Sequence, residues 1–210
     1  MKRFSTLILM LGLIFSATQW VQAQTAQDIL NRLKTKYDQG QGLKASFSQK
    51  MTQGSKSRSM TGTIVMQKNK YRVETGDQTL VTDGKTTWAY SRQQKRVLVD
   101  NYQPDENAFS PDIFFMKQSQ RFNVQKLTDQ TVNGVACYQL KFTPKTRDAL
   151  MKETIIWVRK NDNMPIKVNL LDQNNTRTEL TLTNLQSNPA ITGSTFSFTA
   201  PKGVQVVDLR

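Results

Sequence analysis

The side chains that most often do covalent chemistry in proteins are scarce in this sequence. Its 210 residues contain no histidine, and Cys137 is the single cysteine. Without histidine, the commonest general base, the Ser-His and Cys-His dyads and most zinc sites are excluded. Cys137 lies on a predicted strand between Ala136 and Tyr138, which indicates a packed small residue and not a nucleophile. The sequence also lacks CxxC, HExxH and Gly-rich phosphate motifs.

The carboxylates give no stronger indication of catalysis. Most lie in predicted turns, where bonding to the local backbone is the ordinary explanation; these are Asp77, Asp83, Asp105, Asp129, Asp162 and Asp172. Composition leaves carboxylate-pair chemistry open, but within the aromatic-rich strands we find only Glu74, Glu153 and Glu179. We therefore predict a protein that is not an enzyme and that needs neither a cofactor nor a metal.

The sequence offers an apolar surface instead, most clearly in residues 81–100. Asp83-Gly84 predicts a two-residue type I′ turn, because glycine accepts a positive φ. The alternation that follows places four apolar side chains on one face of a hairpin: Trp88, Tyr90, Val97 and Val99. Such a face must be covered, either by the rest of the protein or by a ligand.

Residues 1–23 have the pattern of a cleaved secretory signal, with a basic start, an apolar run over residues 4–17 and a small-x-small site at 21–23. The run is shorter than the roughly 20 residues of a membrane span. Position 24 is Gln, so the cysteine thiol needed for a lipid anchor is absent there. We predict a single exported domain over residues 24–210.

The chain is strongly basic. Its formal net charge is +13, and it falls to +11 without Lys2 and Arg3 of the predicted signal. Such a charge favours a membrane surface, nucleic acid or acidic proteins as partners, and export argues against nucleic acid. A solvated basic surface with no docking role remains an alternative.

The remaining pattern predicts a mainly β domain with two helices. Thr25 and Asp28 have the spacing of a capping box at the start of an amphipathic helix over residues 25–37. A second helix is predicted over residues 112–120, where four consecutive apolar side chains indicate burial on more than one side, or a lid. About eleven strands with short links predict one strongly curved antiparallel sheet, an incomplete barrel covered by the helices.

The concave face of such a sheet is either a filled core or a cavity for acyl chains. Exposing a sixteen-carbon chain to water costs about 12 kcal/mol, so a lipid-modified protein needs a carrier to cross an aqueous compartment. Methionine side chains are flexible enough to line a cavity that must also release its ligand; the candidates are Met60, Met66 and Met116.

Three segments resemble the bacterial lipoprotein carrier family LolA: residues 43–51 (LKASFSQKM), 81–90 (VTDGKTTWAY) and 196–208 (FSFTAPKGVQVVD). The resemblance implies an incomplete antiparallel β-barrel with a helical lid and no cofactor. It implies a periplasmic chaperone that accepts acylated lipoproteins from an inner-membrane ABC-type release complex. The cargo would then pass to an outer-membrane lipoprotein acceptor.

The resemblance also implies roles for individual residues. It assigns Tyr71, Trp88, Tyr90, Ile156, Val158, Leu180 and Leu182 to the cavity, and Ile113, Phe114 and Met116 to the lid helix. Strand alternation adds Phe47, Ile64, Met66, Val97, Val99, Tyr138, Leu140 and Phe142 to the predicted lining. Where the family commonly has Arg-Pro, this chain has Lys68-Asn69, which makes Lys68 a candidate lid latch that lacks the bidentate grip of arginine.

The sequence thus predicts a monomeric periplasmic lipoprotein chaperone. The alternative is a periplasmic carrier or sensor of free lipids or glycolipids on the same scaffold, which would bind small lipid but no lipoprotein.

Overall fold

The computed structural model describes residues 24–40, 42–103, 109–115, 119–147 and 149–210. The predicted signal segment and Met116 lie outside the described residues. Among the helices that are described, none is long and apolar enough to cross a membrane.

The first helix, α1, spans Ala26–Asp38 and begins with the predicted capping box. The Asp28 amide donates to Thr25 Oγ1 (3.2 Å), and the Thr25 amide donates to Asp28 Oδ2 (3.0 Å). Thr25 Oγ1 also donates to Asp28 Oδ2 (2.8 Å), and the two bonds that Thr25 donates lower the pKa of Asp28, because they stabilise its carboxylate. The helix buries Ile29, Leu30 and Leu33, so the predicted amphipathic helix is confirmed.

The described residues form thirteen strands. They are β1 (Leu43–Gln53), β2 (Lys56–Gln67), β3 (Lys70–Thr75), β4 (Gln78–Thr82), β5 (Thr86–Ser91), β6 (Arg96–Asn101), β7 (Phe122–Lys126), β8 (Gln130–Val132), β9 (Val135–Pro144), β10 (Met151–Arg159), β11 (Pro165–Asp172), β12 (Arg177–Ser187) and β13 (Gln205–Asp208). The count exceeds the predicted eleven, partly because three-residue β8 is too short to show alternation.

The strands form one sheet in the order β13-β6-β5-β4-β3-β2-β1-β12-β11-β10-β9-β7, and β8 also pairs with β9. Neighbours are antiparallel except for β13, which pairs with β6 in parallel. The first and last long strands, β1 and β12, are joined in the middle of the sheet. The predicted mainly β class, with one curved antiparallel sheet that stays open, is confirmed.

The predicted type I′ turn at Asp83-Gly84 is wrong. Three residues separate β4 from β5, and of these only Gly84 has a positive φ (87°), whereas type I′ requires two. The carboxylate of Asp83 accepts hydrogen bonds from the backbone amides of Lys85 and Thr86, both at 2.8 Å. This side-chain bonding stabilises the wider turn.

The second helix, α2, is shorter than predicted and spans Pro111–Phe114. A single 3₁₀ turn follows at Ser119–Arg121. Ile113, Phe114 and Phe115 are all buried, and the Phe115 ring lies 6.1 Å from that of Tyr37 on α1. Consecutive apolar residues are stable here because α2 packs into the sheet core and Phe115, directly after it, contacts α1.

The sheet has two distinct faces. We call the side that carries Phe47, Ile64 and Leu140 the inner face, and the opposite side the outer face. Directly paired residues lie on the same side, so the face of each residue follows from the register. The inner face forms the main core with α1 and α2. A smaller cluster of Cys137, Trp157 and Ile166 lies elsewhere, outside that core.

Gly62 lies where the ring of Phe47 approaches β2. These two residues are paired, and a Cβ at position 62 would lie 2.9 Å from the Phe47 ring and 2.1 Å from the carbonyl oxygen of Glu74. The Phe47 ring also contacts Phe109 edge-on, with centroids 4.9 Å apart. A glycine in this strand therefore permits a close approach that a larger residue would prevent.

We expect Gly62→Ala to lower the free energy of unfolding by about 1–3 kcal/mol, because the added methyl group forces backbone or ring displacement. The matched control is Gly76→Ala, since a Cβ at Gly76 meets nothing within 4 Å. Chemical denaturation of both variants checks the difference. Equal stability of the two variants would contradict the close approach.

Candidate functional site

Eleven of the predicted cavity residues lie together on the inner face. They are Phe47, Ile64, Met66, Tyr71, Tyr138, Leu140, Phe142, Ile156, Val158, Leu180 and Leu182, and all belong to the main core. Ile113 and Phe114 of α2 pack into the same core, as do the three buried residues of α1. Over this part of the sheet the apolar face is covered by protein.

Four predicted cavity residues lie on the other side of the sheet, so their assignment to the same surface as Tyr71 is wrong: Trp88, Tyr90, Val97 and Val99. Tyr71 pairs with Thr82, which pairs with Thr87, whereas Trp88 pairs with Val81. The residue of β5 in line with Tyr71 is therefore Thr87, and Trp88 is its neighbour along the strand. Neighbouring residues of a strand point to opposite faces of the sheet, so Trp88 and Tyr71 lie on opposite faces. In turn, Val99 pairs with Trp88, and Val97 pairs with Tyr90.

The C-terminal segment between β12 and β13 packs on this outer surface. The Phe198 ring lies 5.6 Å from the Tyr90 ring, and Phe196 is buried. Arg72, on the same side of β3, donates from Nη1 to the Ser197 carbonyl oxygen at 3.2 Å. The outer face of these strands is therefore a second packed surface, which explains why its residues are strongly apolar.

The inner face of β4–β6 carries a row of side chains that sequence reasoning missed. Leu80, Ala89 and Leu98 are paired in succession across the three strands, and Val207 of β13 extends the row. Val73 pairs with Leu80 and belongs to the main core, so the row continues from that core. We call this row the groove.

The groove is open to solvent. Ala89 is exposed, whereas Leu80 and Leu98 are half-buried. A cavity of about 350 Å³ lies here; its lining residues are Gln78, Thr79, Leu80, Ala89, Tyr90, Ser91, Gln94, Arg96 and Leu98. This volume is within the range of small-molecule sites, about 300–1,000 Å³. Alternation within β5 and β6 indicates this second apolar row, because Ala89 lies between Trp88 and Tyr90, and Leu98 lies between Val97 and Val99.

Lys68, the candidate latch, follows β2 in a turn with φ 51°. Its side chain lies against Gly40 at the end of α1, since a Cβ at Gly40 would be 2.8 Å from Lys68 Cε. A lysine at a helix C-terminus interacts favourably with the free carbonyl groups there. Lys68 thus contacts the end of α1, and the latch role toward α2 stays a prediction.

Charged groups surround one end of the inner face at Tyr138. The ammonium groups of Lys126 and Lys160 lie 5.3 and 5.2 Å from the Tyr138 ring centroid. Asp129 pairs with both, at 3.5 Å from Lys126 and 2.7 Å from Lys160. Burial raises the pKa of Asp129, but the bond to Lys160 and both positive charges outweigh it and hold that pKa below its usual range.

Cys137 is fully buried, and burial raises the pKa of its thiol. A raised pKa disfavours the thiolate, which is the nucleophilic form. Within the described parts of the chain, no group of three or more His, Cys, Asp or Glu side chains could hold a metal ion. The side chains that gather in the main core of the inner face are apolar.

Solved structures share this fold. An uncharacterized conserved protein from Thermus thermophilus has a TM-score of 0.60 at 14% identity, over 88% of this chain and 99% of that one. MucB has a TM-score of 0.52 at 20% identity, over 87% of this chain and 65% of that one. Identities this low show similarity of fold alone.

Sequence comparison is more specific. An outer-membrane lipoprotein carrier protein of Klebsiella pneumoniae strain 342 is 27% identical over 200 residues, which are 90% of this chain and 93% of that protein. The family described as "Outer membrane lipoprotein carrier protein LolA" matches residues 38–199. Since this match spans well over half of the sequence, the chain belongs to the LolA family of outer membrane lipoprotein carrier proteins.

Proposed function

We propose that this protein is a periplasmic chaperone that binds the acyl chains of lipoproteins released from the inner membrane. One observation carries the proposal. The apolar inner face continues without interruption from a core covered by helices into the open groove of Leu80, Ala89 and Leu98. An acyl chain in the groove would have a continuous apolar path toward the core.

The construction of α2 supports a lid role for Ile113 and Phe114. A four-residue helix makes few hydrogen bonds of its own, so packing on α1 and the core holds it in place. Displacing α2 would open the core beneath it without breaking a strand pair. Acyl chains would then replace the contacts of Phe114 and Phe115 with the inner face. Met116, outside the described residues, is part of the same proposal.

The remaining parts of the proposal concern location and partners. We propose cleavage after residue 23, a monomeric mature domain over residues 24–210, and transfer from an inner-membrane ABC-type complex to an outer-membrane lipoprotein acceptor. The net charge of +11 in that domain suits docking on acidic protein surfaces or anionic membranes. No catalytic step is needed, because binding and release of apolar chains suffice for transport.

The test is release of a triacylated lipoprotein from membrane vesicles that contain the ABC-type complex and ATP. We expect residues 24–210 to recover the lipoprotein in a soluble one-to-one complex, since hidden acyl chains no longer hold it in the bilayer. Ultracentrifugation followed by native mass spectrometry measures the complex, and vesicles without ATP are the control. Lipoprotein that stays in the pellet would contradict the proposal. Bound phospholipid or glycolipid alone would favour a free-lipid carrier.

A pair of aspartate substitutions tests which face of the sheet binds cargo. Leu98 and Trp88 are both half-buried on neighbouring strands, but they lie on opposite faces. We expect Leu98→Asp to reduce lipoprotein recovery at least tenfold, because a carboxylate in the groove must be desolvated by the acyl chain. We expect Trp88→Asp to retain recovery, because the outer face does not contact cargo.

Thermal unfolding of both variants separates lost binding from lost folding. The assignment requires that Leu98→Asp remain folded while it loses recovery. If Trp88→Asp lost recovery and Leu98→Asp kept it, with both proteins folded, the outer face would be the binding surface. The assignment of the groove as the cargo site would then be wrong.

A further inference from the structure

Gln49 is a polar side chain on the inner face of the central strand β1. It pairs with Met60 of β2 on one side and with Leu180 of β12 on the other. Along β1, its inner-face neighbours are Phe47 and Met51. Only 7% of Gln49 is exposed. A buried amide among apolar neighbours requires a physical explanation.

The carbonyl oxygen of this side chain, Oε1, is buried and accepts no hydrogen bond. Some buried polar side chains of the sheet are paired: Thr79 Oγ1 accepts from Arg92 Nη2 at 3.0 Å, and Thr82 Oγ1 donates to the Thr86 carbonyl oxygen at 2.9 Å. Thr154 Oγ1 and Asn169 Oδ1, like Gln49 Oε1, have no partner. An unpaired acceptor in an apolar environment is destabilising. A donor from outside the chain that reached Gln49 would remove this penalty.

The position of Gln49 fits the junction between an acyl chain and the peptide that carries it. Phe47 on one side is buried in the core, whereas Met51 on the other side is 38% exposed. An acyl chain in the core would therefore leave it near Gln49. Met51 and half-buried Met60 can adapt to a passing chain, because thioether side chains are flexible.

The two common acyl linkages differ in hydrogen-bonding capacity. An ester offers only acceptors, whereas an amide also offers an N–H donor. We propose that Gln49 Oε1 accepts a hydrogen bond from the N–H of an amide that joins an acyl chain to a polypeptide; this proposal rests on the proposed function. Gln49 is thereby a specificity-determining residue, which selects amide-linked over ester-linked acyl groups.

A second buried oxygen provides a matched control. Thr154 Oγ1 also lacks a partner, but Thr154 is fully buried and pairs with buried Phe142 and Leu170. It therefore lies within packed core and not at a boundary with solvent. Thr154→Val removes a buried oxygen in the same way as Gln49→Met, but at a position that we do not assign to cargo.

The test uses two synthetic peptides that each carry one hexadecanoyl group. In the first peptide an amide links the acyl group to the peptide. In the second peptide an ester makes the same link, so that an oxygen replaces the N–H of the amide. We expect the wild-type protein to bind the amide roughly tenfold more tightly, as measured by calorimetry, because only the amide satisfies Gln49. Gln49→Met should bind both peptides equally, and Thr154→Val should keep the wild-type preference.

Stability adds a second measurement. Gln49→Met should leave the melting temperature of the ligand-free protein unchanged or higher, because it removes an unpaired buried acceptor. Equal binding of both peptides by the wild type would overturn the inference. So would a preference that survives in Gln49→Met, or a lower melting temperature of that variant. Failure of both peptides to bind would instead contradict the proposed function itself.

Discussion

The structure depends on keeping water away from one apolar side of a long sheet. Inner-face side chains from β1 to β3, from β7 and from β9 to β12 meet in a single core. Two helices complete it, and neither could be stable alone at its length. The helices are therefore held by the same apolar contacts that they protect. Such a cover can be exchanged for another apolar cover, because burial of apolar area has no directional requirement.

Much of this arrangement follows from local sequence pattern. The capping residues Thr25 and Asp28, the alternation of Phe47 with polar neighbours, and the consecutive apolar residues at 113–115 each indicated their environment correctly. Alternation decides which residues share a face when one side of a strand is apolar and the other polar. That condition holds for β1, and there the prediction of the inner face needed no tertiary information.

The condition fails for β4–β6, where both sides are apolar. Val81, Val97 and Val99 face outward, whereas Leu80 and Leu98 face inward. Alternation then yields two candidate faces, and the aromatic side chains of Trp88 and Tyr90 favour the outer one in the sequence. What decides between them is the C-terminal segment, through contacts such as Phe198 with Tyr90. These residues are more than 100 positions apart, so no local pattern could reveal the contact. The position of Gln49 among Met60 and Leu180 is likewise visible only through the register.

The pairing of β1 with β12 has a consequence for how the chain reaches its native state. Leu43 is opposite Ser187 in the middle of the sheet, so the central ladder joins residues 144 positions apart. Contacts between residues that are far apart in the sequence form late and slow the folding reaction. Before residue 187 is available, β1 has only β2 as a partner, and the shared core lacks the β12 side chains. A newly made chain would thus stay unfolded longer than one built from local contacts, which suits the proposed export through a narrow translocation channel.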